Sequence, residues 1–147
     1  MATLGHTYDH SLLMKDAGLV AASAAAQVSG SNKIIDVGAQ EMTADVVVDV
    51  TACEVATGDE LYTILVEGSS SASFASGIDT LAMKQIGHLT PKIGGSDVTD
   101  GATGRFVIPF RNEVNGTVYR YIRVYTVVAG TIATGINFTA YMAPRVF

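Results

Sequence analysis

The sequence predicts an all-β domain of sandwich or barrel type, built from about eight strands. Three observations predict it. Runs rich in Val, Ile, Tyr and Thr recur along the chain, the longest within Thr117–Thr131, and such residues suit a pleated, half-buried surface. Turn signals separate these runs at short intervals. Fifteen glycines against three prolines in 147 residues fit a chain of many turns.

The elements follow in order. Residues 1–17 read as an N-terminal arm, in which polar His6–His10 precedes a short apolar patch, Leu12, Leu13 and Met14. Residues 18–30 are rich in Ala, Ser and Val. Alanine favours helix, but Gly18, Ser23, Ser29 and Gly30 interrupt the run, so an extended segment is expected. Lys33–Gly38 is a short strand. Asp45–Glu54 is a long one, with Val46, Val48, Val50 and Ala52 on one face and Val47, Asp49, Thr51 and Cys53 on the other, because strand side chains alternate. Thr57–Glu60 is a turn. Leu61–Glu67 is the next strand, and residues 69–77 are a loop with Phe74 as its anchor. Thr80–Ile86 is a further strand or one helical turn, and residues 88–104 are a long glycine-rich loop.

Arg105–Arg111 is a strand with Phe106, Ile108 and Phe110 inward. Pro109 lacks a donor N–H, which marks an edge or a bulge. Asn115–Gly116 is a hairpin turn signal. In the strand that follows, alternation places Tyr119, Tyr121, Arg123 and Tyr125 on one side and Arg120, Ile122, Val124 and Thr126 on the other. A short link then leads to a last strand over residues 135–142. No internal repeat or second boundary is visible, so residues 18–147 form a single β domain.

Composition excludes several classes. The net charge of −5, with nine scattered Lys and Arg, argues against a nucleic-acid partner, which needs clustered cations for phosphate contacts. No apolar run reaches the roughly 18 residues that span a bilayer as a helix, so no membrane partner is expected. Residues 17–27 imitate the end of a signal peptide, but Asp9 and Asp16 before them, with Lys15 the only base, argue against one. The lone Cys53 excludes an internal disulfide and a cysteine-based zinc site.

Candidate sites are sparse. His6 and His10 have the i, i+4 spacing that could place two metal ligands on one helix face, but only Asp9 accompanies them, and surface histidines are the plainer reading. Asp97–Gly104 lacks the alternating carboxylates and closing Glu of a calcium loop. Glu54, Glu60, Glu67 and Asp79 could supply a glycosidase pair, yet all lie at strand ends or turns, where solvated charges are ordinary. No serine has a nucleophile-elbow context. Cys53 reads as a small packing residue. No catalytic residue, cofactor or metal is therefore expected. The Tyr119, Tyr121, Arg123 and Tyr125 face could be a half-buried sheet face, a sugar-stacking platform or a subunit interface.

The order of these signals resembles the small capsid cement, or decoration, proteins of tailed bacteriophages. The residues that carry the resemblance are Asp9–Ala17, Ser31–Gly38, the Val-rich strand 45–53, Phe106–Arg111, Tyr119–Thr131 and Gly135–Ala140. The loop 88–104 looks longer than the family pattern. The resemblance implies a jelly-roll-like β-sandwich or barrel with an N-terminal arm. It also implies a homotrimer on the outer surface of the virion head that clamps neighbouring copies of the major capsid protein and performs no chemistry. Leu12, Leu13 and Met14 would then grip the capsid, and Tyr119, Tyr121, Arg123 and Tyr125 would line a subunit interface. A carbohydrate- or receptor-binding β-module on a virion or cell surface is the alternative.

Overall fold

The computed structural model describes residues 6–89, 98–100 and 103–145. Among these the chain is all-β, apart from a single 3₁₀ turn at His10–Leu12. The strands that build the body are β1 (Leu13–Lys15), β2 (Ala24–Ala25), β3 (Thr43–Cys53), β4 (Leu61–Ser69), β5 (Ile78–Leu89), β6 (Gly104–Arg111), β7 (Tyr121–Ala129) and β8 (Ile136–Pro144). They form two antiparallel sheets. The first has the order β1-β8-β3-β6 and the second β2-β7-β4-β5. Short segments extend them: Leu19–Val20 joins β8, Ile35–Asp36 joins β7, and Val98–Asp100 joins β5.

The sheets face each other across one core, as in a β-sandwich. β3 contributes Val46, Val48 and Val50, and β8 contributes Phe138, Ala140 and Met142. Opposite them lie Tyr62, Ile64 and Val66 of β4 with Ile122 and Val124 of β7. The alternation read for β3 therefore points its valines inward as expected, but Val47 on the other face is also fully buried. It packs with Tyr141, Ala143 and Leu13 in a second cluster on the outside of the first sheet. Burial pushes the Tyr62 phenol up to about 12, and its hydroxyl donates to the Glu54 carbonyl at 2.9 Å. Neither sheet closes on itself among the described residues, so the arrangement is open rather than a barrel.

The segment expected to stand outside the β pattern enters it. β1 pairs with β8, and Met14 is completely buried in the central core. Lys15 beside it is 5% exposed. Its ammonium donates to the carbonyls of Asp16, Gly18 and Phe138 at 3.0, 3.0 and 2.9 Å, and it lies 4.6 Å from the centre of the Phe138 ring. A buried lysine is costly unless its donors are satisfied; here three carbonyls satisfy them and tie β1 and the turn after it to β8. Burial also lowers the Lys15 pKa. His6 reaches the Asp45 carboxylate at 3.0 Å, where Arg145 also donates at 2.8 Å. Residues 6 and 145 are thus fastened to one aspartate.

The chain then runs extended past the sandwich edge, in agreement with the reading of residues 18–30. Gly135 shows why a small residue is needed where β8 begins. Its φ is +97°, and a Cβ there would lie 2.1 Å from the Val20 carbonyl oxygen, so backbone occupies the space of a side chain. The Asn115–Gly116 turn forms as expected, with both residues at positive φ. Of the expected loop 88–104, His88 and Leu89 continue β5 and Val98–Asp100 pairs with it. Residues 90–97 and 101–102 lie outside the described residues, and with them Asp97, Gly101 and Ala102 of the segment weighed as a calcium loop.

Candidate functional site

The outward face of the second sheet holds most of the tyrosine-rich strand's side chains. Strand alternation turns Ile122, Val124 and Thr126 inward, where all are buried, and leaves Tyr121, Arg123, Tyr125 and Val127 on the outside. Tyr119 departs from the expected set. The strand is interrupted before Tyr121, and Tyr119 turns to the opposite side. Gly68 is the cross-strand partner of buried Ile122, and a Cβ on Gly68 would meet the Tyr119 Cβ at 2.8 Å. Tyr119 therefore covers the inner end of the sheet, and its hydroxyl donates to Asp79 at 3.1 Å. Burial, followed by that hydrogen bond, raises its pKa.

Arg123 is the centre of the outward group. It donates to Glu67 at 2.7 Å, and the two side chains are only 15% and 11% exposed. Its guanidinium lies 4.3 Å from the Phe74 ring centre and 5.2 Å from that of Tyr125. The serine-rich loop between β4 and β5 brings Phe74 there. Ser69 fastens that loop by donating to the Ser76 carbonyl at 2.8 Å and accepting from the Ser71 N–H at 3.0 Å. Phe74 sits at φ +54° and is 6% exposed. Arg123 is thus clamped between two rings above its carboxylate, and a planar cation suits such stacking. Tyr121 lies at the end of the same strand under Arg120, which holds Asp36 through two 2.8 Å hydrogen bonds. Those bonds, and then the Gly38 N–H, hold the Asp36 carboxyl down at about 2.

Below the clamp the face carries one apolar row, and the next, from Val127, continues into Thr63 and Gln85. Register aligns Met83, Leu65, Tyr125 and Ala25 in one row across β5, β4, β7 and β2. Met83 is 59% exposed and Val127, two residues beyond Tyr125 on the same face of β7, is 38% exposed. Sequence reasoning singled out Tyr121, Arg123 and Tyr125 but missed Met83 and Val127. Alternation within Thr80–Ile86 carries the signal for Met83, but a bulge between the partners of Val66 and Glu67 resets that strand's facing.

The expected gripping residues separate. Met14 is enclosed, whereas Leu12 and Leu13 are half-buried against the two clusters. The four carboxylates weighed as a glycosidase pair each have partners of their own. Glu54 accepts the N–H groups of Ala133, Thr134 and Gly135. Glu60 accepts those of Thr57 and Gly58. Glu67 holds Arg123, and Asp79 holds Tyr119. His6 and His10 do not share a site: one meets Asp45 and the other Tyr8. Among the described residues no three His, Cys, Asp or Glu side chains converge as metal ligands. Cys53 packs at the fringe of the core.

No protein-family model matches the chain, and no curated protein matches its sequence.

Proposed function

We propose that this chain is a structural capsid cement, or decoration, protein that binds the outer surface of a tailed-phage head and stabilises contacts between major capsid proteins. The observation that carries the proposal is the outward row of half-buried Leu65 and Tyr125 ending in exposed Met83, with exposed Val127 beside it. A rigid sheet with such a face gains by covering it, and burying one Met or Val side chain contributes about 1.5–3 kcal/mol. The occupant is a second copy of this chain, in a homotrimer whose interface also includes Tyr121 and the rim of the Arg123 clamp. The sequence resemblance supplies the capsid partner.

The proposed architecture is a jelly roll. The sheet orders β1-β8-β3-β6 and β2-β7-β4-β5 support it. They lay β1 to β4 antiparallel to β8 to β5, as if one long hairpin had been rolled up. Jelly rolls occur in viral capsid and lectin domains, which is an argument by fold analogy alone. Three weak sites on one trimer would hold a capsid lattice through avidity. The gripping side chains exclude Met14, and exposed Leu19, five residues along the chain, takes its place.

Analytical ultracentrifugation and binding to heads lacking the protein test the proposal together. The expected result is a trimer that binds at three-fold positions, and a Met83→Glu variant that sediments as a monomer. A wild-type monomer at micromolar concentration, or no head binding, would overturn it.

A further inference from the structure

The outside of the first sheet carries a groove of about 330 Å³, near the lower end of the ~300–1,000 Å³ typical of ligand sites. One wall is aromatic. Tyr8 stands edge to face with Tyr141, ring centres 5.2 Å apart, and Tyr8 is 53% exposed while Tyr141 is buried. The floor is polar. Register places Thr139, Asp49 and Arg105 side by side across β8, β3 and β6. Arg105 holds Asp49 through two parallel hydrogen bonds of 2.7 and 2.9 Å. Both side chains remain reachable, at 53% and 34% exposure. Asp16 closes the far side, and its carboxylate is anchored by the Ser29 N–H at 2.7 Å.

The charges select the ligand. Two carboxylates against one guanidinium repel an anion such as phosphate. An ammonium group would find both carboxylates already engaged, Asp49 by Arg105 and Asp16 by the Ser29 N–H. A neutral polyol fits both constraints: its hydroxyls donate to Asp49 and Asp16 and accept from Arg105 and Thr139. The exposed ring of Tyr8 offers an electron-rich face to the polarised C–H groups of a pyranose. The bidentate pair is already assembled, so little ordering accompanies binding.

We propose that this groove binds a single neutral sugar unit, with Tyr8 as the stacking wall and the Asp49–Arg105 pair as the hydroxyl-reading floor. The site is independent of the apolar row on the opposite sheet, and its occupancy does not require the capsid reading to hold.

The test is an NMR titration of the full chain with D-glucose, D-galactose, D-mannose and N-acetyl-D-glucosamine, with inorganic phosphate and choline chloride run in parallel. At least one sugar is expected to saturate in the millimolar range, with shifts centred on residues 8, 49, 139 and 141. Tyr8→Ala is expected to weaken it at least about tenfold, and Ile78→Ala, at an exposed side chain on β5 of the opposite sheet, to leave it unchanged. Tyr8 is exposed enough that its loss spares the fold, and Thr139→Val gives a second reading by removing only a hydroxyl. Saturation by none of the four sugars, an affinity unchanged in both groove variants, or tighter binding of phosphate or choline would each overturn the proposal.

Discussion

Replacing Met14 with alanine separates two roles for the N-terminal segment. On a free arm, Met14 would contribute nothing to the stability of the isolated chain. In the structure it is completely buried among the core residues of both sheets. Truncating a buried Met to Ala removes its transfer energy and leaves a cavity, at a cost of about 2–5 kcal/mol. A domain of roughly 150 residues loses about 2–4 °C of melting temperature per kcal/mol. The expected drop is therefore on the order of 10 °C, read by thermal unfolding followed by circular dichroism. Urea titration adds a check: the midpoint should fall while the slope stays constant, because a cavity changes stability rather than the surface exposed. Leu19→Ala, at a side chain 58% exposed, serves as control and should move the midpoint little. A Met14→Ala protein melting within about 1–2 °C of wild type would refute the placement of β1 in the sandwich.

Three further outcomes are expected. Arg123→Ala leaves the Glu67 carboxylate beneath Phe74 without its cation. Breaking a fully buried pair costs about 3–5 kcal/mol, and these partly wetted side chains should lose somewhat less; denaturant unfolding measures it, and adding Glu67→Gln should restore part of the loss. Gly135→Ala forces a side chain into a positive-φ position against the Val20 carbonyl, so it should destabilise by at least about 1–3 kcal/mol, and a neutral effect on the melting curve would count against the close approach. In acid the melting temperature should fall. Arg105 holds the Asp49 carboxyl low, burial of Asp45 is outweighed by Arg145 and His6, and Asp36 sits at about 2. A carboxyl depressed by folding adds stability above its unfolded value, about 4, and that stability is lost as pH falls through the folded value. Scans should be level from pH 7 to about 5 and decline between about 4 and 2; a rise on acidification would contradict the assignment.

Local chemistry made much of the sheet legible. Alternation placed Val46, Val48 and Val50 inward and Tyr121, Arg123 and Tyr125 outward, because period-2 facing is a property of the strand alone. The Asn115–Gly116 turn was equally local. What escaped reading depends on distant partners. β1 spans three residues, too few for a period, and its partner strand β8 lies more than a hundred residues away. Lys15 looked like an isolated base because the carbonyl of Phe138 that helps satisfy it arrives only through the fold. Tyr119 continued the alternation on paper, but the interruption before Tyr121 turned it to the other side. Met83 was hidden by a bulge, and the groove beside Tyr8 combines residues from four separate stretches of chain.

The seating of β8 between β1 and β3 has a consequence for synthesis. A growing chain can close the β4–β5 hairpin early, since its strands are neighbours in sequence. The first sheet must wait until Pro144 has cleared the ribosome, because the strand that bridges its two halves is made after the other seven of the sandwich. Until then the edge of β3 that pairs with β8 stays without its ladder partner, and such non-local pairing folds slowly. Translation that stops short of Ile136 yields a polypeptide whose core lacks Ile136, Phe138, Ala140 and Met142, the kind of product that proteases remove.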